Sequence, residues 1–154
     1  MIEKLEKENG INMQNREVMV TSGANQAFFS IIQSICDVGD EVVLFRPYYF
    51  NQIMALQLLG INPIEIDCNM ETLEPLIDTI PFHSERLKAV VLVSPSNPSG
   101  FVASPELVHR LTEMCAKHSK YLISDETYED FVYEDAKHTT PLGSHVINIY
   151  SFSK

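Results

Sequence analysis

KAVVLVS, residues 88–94, runs directly into PSNPSG, residues 95–100, and this junction decides the fold class. The first piece is a near-continuous apolar and β-branched run. A strand with one wet face would alternate apolar and polar residues; a run without alternation suits a strand buried on both faces, as in a parallel sheet covered by helices on each side. The second piece has two prolines and a glycine that fix the path of a turn. An apolar strand ending in a rigid polar loop is the unit from which open α/β sheets are built.

Working outward, the same alternation continues in both directions. Glu17–Thr21 (EVMVT) reads as a short strand, followed by a helix over 24–36 with Phe28, Ile31, Ile32 and Ile35 at helical spacing. EVVLF (41–45) is the next strand, and a helix runs from Pro47 to about Leu59, stopped by Gly60. A third strand covers 62–67, and residues 71–80 read as a helix. After the 95–100 loop, Ser104 and Pro105 open a helix to about Ser119, with Leu107, Leu111, Met114 and Cys115 on one face. Strands over 121–124 and 145–150 close the series. The expectation is an α/β domain, a three-layer α/β/α arrangement around a mostly parallel sheet of six strands. A charged helical segment over residues 1–16, ended near Gly10, precedes a main unit over 17–154.

The totals narrow the function. The chain has 154 residues and a formal net charge of −10, with no cluster of Lys or Arg, which disfavours nucleic-acid and anionic-membrane partners. No apolar run approaches the ~20 residues of a membrane span. The charged start, MIEKLEKENG, lacks a signal-like apolar region, so a cytoplasmic location is expected. Cys36, Cys68 and Cys115 are odd in number and widely spaced, and read as packed, reduced thiols; the five histidines show no ligand spacing, so no metal is assigned.

In open α/β sheets, ligands bind at the carboxyl ends of the strands. The polar residues there form a series. Thr21-Ser22-Gly23-Ala24-Asn25 opens a helix, where small residues and first-turn amides suit a phosphate, although taken alone Ser22 reads more readily as a plain cap. Pro47-Tyr48-Tyr49-Phe50 offers a stacking plate for a flat ring, or three aromatics packed in a core or subunit contact. Asn97 before Pro98 is held extended, its amide facing a ligand or simply serving the turn. Asp125 ends an apolar strand, where its carboxylate requires a cation, a strong donor or a capping role; Tyr128 follows three positions on. Ser151-Phe152-Ser153-Lys154 brings a lysine among hydroxyls, a Schiff-base nucleophile or an ordinary exposed lysine. A phosphate cradle, a stacking plate, a counter-charge and a covalent handle are together what a flat anionic ligand needs.

With TSGANQAF (21–28), RPYYF (46–50), SPSNPSG (94–100), SDETYEDFVY (124–133) and SFSK (151–154) in this order, the sequence resembles the large domain of the class I/II aminotransferases, pyridoxal-phosphate (PLP) enzymes of fold type I. GANQAF with PYYFN and SFSK is similar to plant-like aromatic or methionine aminotransferases. The resemblance implies an amino-group transfer between an amino acid and a 2-oxo acid. Pyridoxal 5′-phosphate would be held as a Schiff base by Lys154, which would also move the substrate proton. It implies Asp125 against the pyridine nitrogen, and Asn97 and Tyr128 on the ring oxygen. Tyr49, rather than Tyr48, would lie on the ring face. The backbone of Gly23, Ala24 and Asn25 and the Ser151 hydroxyl would hold the phosphate.

It also implies a homodimer at full length, and a continuation past Lys154 carrying a phosphate-binding arginine and a smaller domain with a substrate-binding arginine. Arg16, Arg46, Arg86 and Arg110 match neither position, so the large domain is expected to be partial and the chain to have little activity alone. Two alternatives stand beside this reading: a PLP-dependent lyase or synthase on the same fold, and a non-catalytic remnant. A dinucleotide-binding domain is disfavoured, since no G-x-G-x-x-G follows the first strand.

Overall fold

The computed structural model describes residues 2–133 and 136–153. It is built on a five-stranded sheet in which every pairing is parallel. In chain order the elements are helix α1 (Ile2–Lys7), α2 (Ala24–Ile35), strand β1 (Glu41–Arg46), α3 (Phe50–Leu58), β2 (Asn62–Asp67), β3 (Leu87–Val93), α4 (Pro105–Lys117), β4 (Tyr121–Asp125) and β5 (Val146–Ile149). Short 3-10 turns lie at Met13–Asn15 and Ile77–Thr79. The strand order is β2-β1-β3-β4-β5, so β3, the strand of the KAVVLVS run, is central.

The strands lack polar alternation because both faces are covered. On one face Val43, Phe45, Val90, Leu92 and Leu122 pack under α4 with Leu107, Leu111 and Cys115. On the other, Val42, Leu44, Ala89, Val91 and Ile123 meet Phe28 and Ile32 of α2 and Ala55 and Leu56 of α3. Successive residues of one strand therefore enter two different cores, and each must be apolar. The layers are α2 and α3, the sheet, and α4. Helix α4 starts as its sequence dictates: Ser104 Oγ accepts from the Leu107 amide at 3.2 Å, and Pro105 occupies the first turn.

Two expected elements are replaced. Residues 17–21 form no strand: Met19 and Val20 are 73% and 75% exposed, and none of the ladders includes this segment. Apolar and β-branched content gives a chain the capacity to be a strand, but a strand exists only by pairing. Residues 71–80 form a turn and one 3-10 stretch instead of a helix. Asn69 Oδ1 accepts from the amides of Glu71 and Thr72, Leu73 sits at φ 61°, and an antiparallel bridge joins Cys68 to Pro75. The asparagine side chain captures the amides with which a helix would have begun.

The N-terminal segment is tied to the main unit. Leu5 and Ile11 are buried, Lys4 pairs with Glu129, and Arg16 Nη2 donates to the Gly143 carbonyl at 3.2 Å. No helix among the described residues is long and apolar enough to cross a membrane.

Candidate functional site

A parallel sheet aims all its carboxyl ends at one edge, and here that edge holds an open cavity of about 230 Å³. Its lining comes from stretches that are far apart in sequence: Ser22–Asn25, Tyr49, Asn97, Asp125 with Thr127 and Tyr128, and Ser151 with Ser153. All the sequence-selected site residues from Gly23 to Ser151 thus face one space. Lys154 lies outside the described residues.

The floor at 22–25 is the start of α2. Gly23 occupies the cap position at φ 85°, a conformation costly to residues with a Cβ, and it has no side chain to satisfy the first-turn amides. A Cβ built there would meet nothing within 4 Å, so the glycine serves the backbone angle rather than the space. Ser22 is not the cap; its own amide donates to Gln26 Oε1. The amides that open α2 are therefore presented to the cavity as an anion-binding end.

The aromatic pair after β1 divides. Tyr49 lines the cavity; its hydroxyl accepts from Asn51 Nδ2 at 2.7 Å and its ring meets Phe50 edge-on at 5.2 Å. Tyr48 turns away and donates to Glu65 Oε2 at 2.9 Å. Across the cavity, Asn97 Nδ2 and the Tyr128 hydroxyl stand 3.5 Å apart, a long contact between two groups directed at the same region. Ser151 and Ser153 share a hydroxyl–hydroxyl bond of 2.8 Å.

Asp125 is 7% exposed at the end of β4. Its Oδ1 accepts from the Thr127 amide at 3.2 Å and the Thr127 hydroxyl at 2.7 Å; its Oδ2 accepts from Gln52 Nε2 at 3.1 Å. The capping role and the ligand-facing role weighed for this aspartate thus coexist on one carboxylate. Burial pushes its pKa above the ordinary carboxylate value, the Thr127 and Gln52 donors oppose that, and the neighbouring Glu126 adds to it. A buried carboxylate met by neutral donors at the wall of a cavity is an acceptor for a cation.

Gln52, Thr127 and Ser153 were not selected from the sequence. Gln52 had a readable signal: it is a polar residue in α3 at the spacing of the buried Ala55 and Leu56, so it falls on the apolar face. Thr127, two residues after an aspartate, fits a local turn pattern. None of the four arginines lines the cavity. Arg46 pairs with Asp67, Arg110 with Asp78, and Arg16 reaches Gly143.

Beside the site, Glu126, Glu129 and His138 bring possible metal-ligating atoms within 4.8 Å of one another. Their carboxylates are already engaged: Glu126 with His138, Thr140 and Asn148, and Glu129 with Lys4 and Asn9. Lys4 supplies the positive charge locally.

The family model for aminotransferase class I and II matches residues 1–154. An aromatic aminotransferase of Arabidopsis thaliana is 41% identical over the whole chain, which covers 40% of that protein. A probable aspartate/prephenate aminotransferase of Aquifex aeolicus is 38% identical over 90% of the chain, covering 36% of its length. Among solved structures, an aspartate aminotransferase from Thermus thermophilus with maleate superposes with a TM-score of 0.92, at 32% identity, over 99% of this chain and 41% of the other. An aromatic aminotransferase from Pyrococcus horikoshii gives 0.91 at 32% identity, over 99% and 43%. The chain spans about two fifths of the length of these relatives.

Proposed function

The chain belongs to the class I and II aminotransferases, which are pyridoxal-phosphate-dependent, and from that premise we propose that its cavity is the cofactor site of an enzyme transferring an amino group from an amino acid to a 2-oxo acid. In this reading 17–154 is the cofactor-binding part and 1–16 a separate N-terminal segment, whose helix Ile2–Lys7 is tied to it through Lys4 and Glu129. The observation that carries the reading is the Asp125 carboxylate, buried, facing the cavity and met only partly by neutral donors.

The residues present fit the cofactor. A phosphate suits the opening amides of α2 at Ala24 and Asn25, with the Ser151 hydroxyl on the same cavity; the Gly23 amide, expected to join them, instead donates to the Thr21 carbonyl at 2.9 Å, so Gly23 contributes the turn. A flat ring suits the Tyr49 face. A ring nitrogen bearing a proton suits Asp125, whose buried carboxylate meets neutral donors but no cation among the described residues. Asn97 and Tyr128, side by side, suit a ring oxygen.

Bound, pyridoxal phosphate supplies the electron sink that stabilises negative charge at an amino acid's α-carbon. The protein's part is to hold and orient. Asp125 would hold a proton on the ring nitrogen by accepting its hydrogen bond. Tyr49 would hold the ring face, and the first amides of α2 would hold the phosphate end. Lys154 is the amine proposed to attach the cofactor and to carry the proton at the α-carbon. The partners proposed are an amino acid, a 2-oxo acid and, for the full-length protein, a second copy of itself. The aromatic side chain named for the Arabidopsis relative favours an aromatic amino acid as one substrate.

The test is chemical. Pyridoxal phosphate added to the protein and fixed with borohydride is expected on Lys154 by peptide mass mapping. Label distributed over the surface lysines, with Lys154 unmodified, would overturn the assignment.

A further inference from the structure

We propose that Gln52 is a positioning residue that keeps the Asp125 carboxylate ionised and turned toward the cavity. The inference rests on the cofactor reading of Asp125 given above and extends it to a side chain on another element.

Gln52 lies in the first turn of α3 and is 3% exposed. Its Nε2 donates to Asp125 Oδ2 at 3.1 Å, across 73 residues of sequence. Its Oε1 is buried with no hydrogen-bond partner among the described residues. That imbalance is informative. The amide has one workable orientation, because reversing it would set two oxygens against each other and strand the donors instead. A buried acceptor without a partner is costly, and an apolar side chain of the same shape would remove that cost. What glutamine supplies in exchange is one N–H on the carboxylate oxygen that Thr127 does not reach.

A donor on an anion favours the anion, and it counts for more where water is excluded. The other groups around Asp125 do not replace it. Thr127, on the turn after β4, holds Oδ1. Tyr49 before α3, Tyr128, Asn97, the 22–25 turn, Ser151 and Ser153 line the cavity as neutral groups. The charged neighbour acting on Asp125 among the described residues is Glu126, which opposes ionisation. Gln52 and Thr127 therefore carry the burden of keeping Asp125 negative before a cation arrives. Since β4 and α3 belong to different layers, this bond also fixes which way the carboxylate points.

The probe is pyridoxamine 5′-phosphate, which carries the ring and phosphate but no aldehyde for Lys154. Its affinity for the wild-type chain, Gln52→Met, Gln52→Glu and Asp125→Asn is measured by titration calorimetry from pH 5 to 9, with circular dichroism reporting the fold. In Gln52→Met the acid limb of the binding profile is expected to move up by about one pH unit, while the alkaline plateau stays in place. That pattern follows because only the protonation of free Asp125 changes; a loosened structure would lower the whole profile. Gln52→Glu, nearly the same shape, is expected to move the limb further, since it sets a second carboxylate against the first. If Gln52→Met does not fold, the glutamate variant decides alone. An unmoved limb in a folded variant overturns the role of Gln52. Asp125→Asn separates the two levels: strong binding that survives this change sinks the cofactor reading of Asp125 itself. Binding lost in Asp125→Asn together with an unmoved Gln52 limb sinks only the inference about Gln52.

Discussion

Two adjacent buried acids, the last residue of β4 and the one after it, have surroundings opposite in kind. Glu126 is fully buried, with Thr140 and Asn148 donating to its carboxylate at 2.6 Å and His138 Nε2 at 2.7 Å. These partners come from the 138–140 stretch and from β5, so the residue stitches the far side of the strand shut. Among the described residues Asp125 has donors from Thr127 and Gln52, and it faces an open cavity. One carboxylate is closed around by the protein and serves the fold. The other meets no cation among the described residues and stands at the wall of an open cavity. Burial alone does not mark an acid as functional; what matters is whether its charge is answered from within the chain.

Removing each acid tests that contrast. The largest effect is expected from Glu126→Ala, which takes the acceptor from His138 Nε2 and the Thr140 hydroxyl and leaves Asn148 only the Pro141 carbonyl; it is expected to cost about 1–3 kcal/mol in urea unfolding for each group left unsatisfied. A loss no greater than that of a surface substitution would erase the distinction between the two sites. Asp125→Asn is expected to act in the opposite direction on the unliganded chain. The folded-state pKa of Asp125 is raised above its ordinary 3.8, so the unfolded chain gives up this proton at lower pH than the folded chain does. The stability associated with the protonated acid is full below the unfolded pKa and is lost as pH rises through the folded one. Replacing the acid by its amide removes that loss. The unfolding midpoint at neutral pH should rise by roughly 2–4 °C for each kcal/mol relieved, and the gain should vanish in melts below pH 4. A lower midpoint at pH 7 would show that Asp125 is answered internally after all. The smallest effect belongs to a position remote from both acids: Ser104→Ala, at the cap of α4, is expected to cost about 1 kcal/mol with cofactor affinity unchanged.

The sequence was most legible where burial demands one kind of residue. KAVVLVS could be read as a central strand because two cores claim its alternate side chains. The polar residues after the strands could be collected because parallel strands end on one edge. It was least legible where a local pattern had a competitor. EVMVT at 17–21 has strand composition and pairs with nothing among the described residues. The 71–80 stretch has helical spacing but yields to the Asn69 side chain. Gln52 escaped notice because its significance lies in a partner 73 residues away.

By itself the sequence determined the α/β architecture, most of its elements and the chemical types gathered at the strand ends, since periodicity and turn chemistry are local properties of a chain. Only the tertiary structure decided which tyrosine faces the cavity, which of two neighbouring acids is answered from within, and which side chain reaches across layers to Asp125. Those are matters of distance between residues remote in sequence, and no local pattern encodes them.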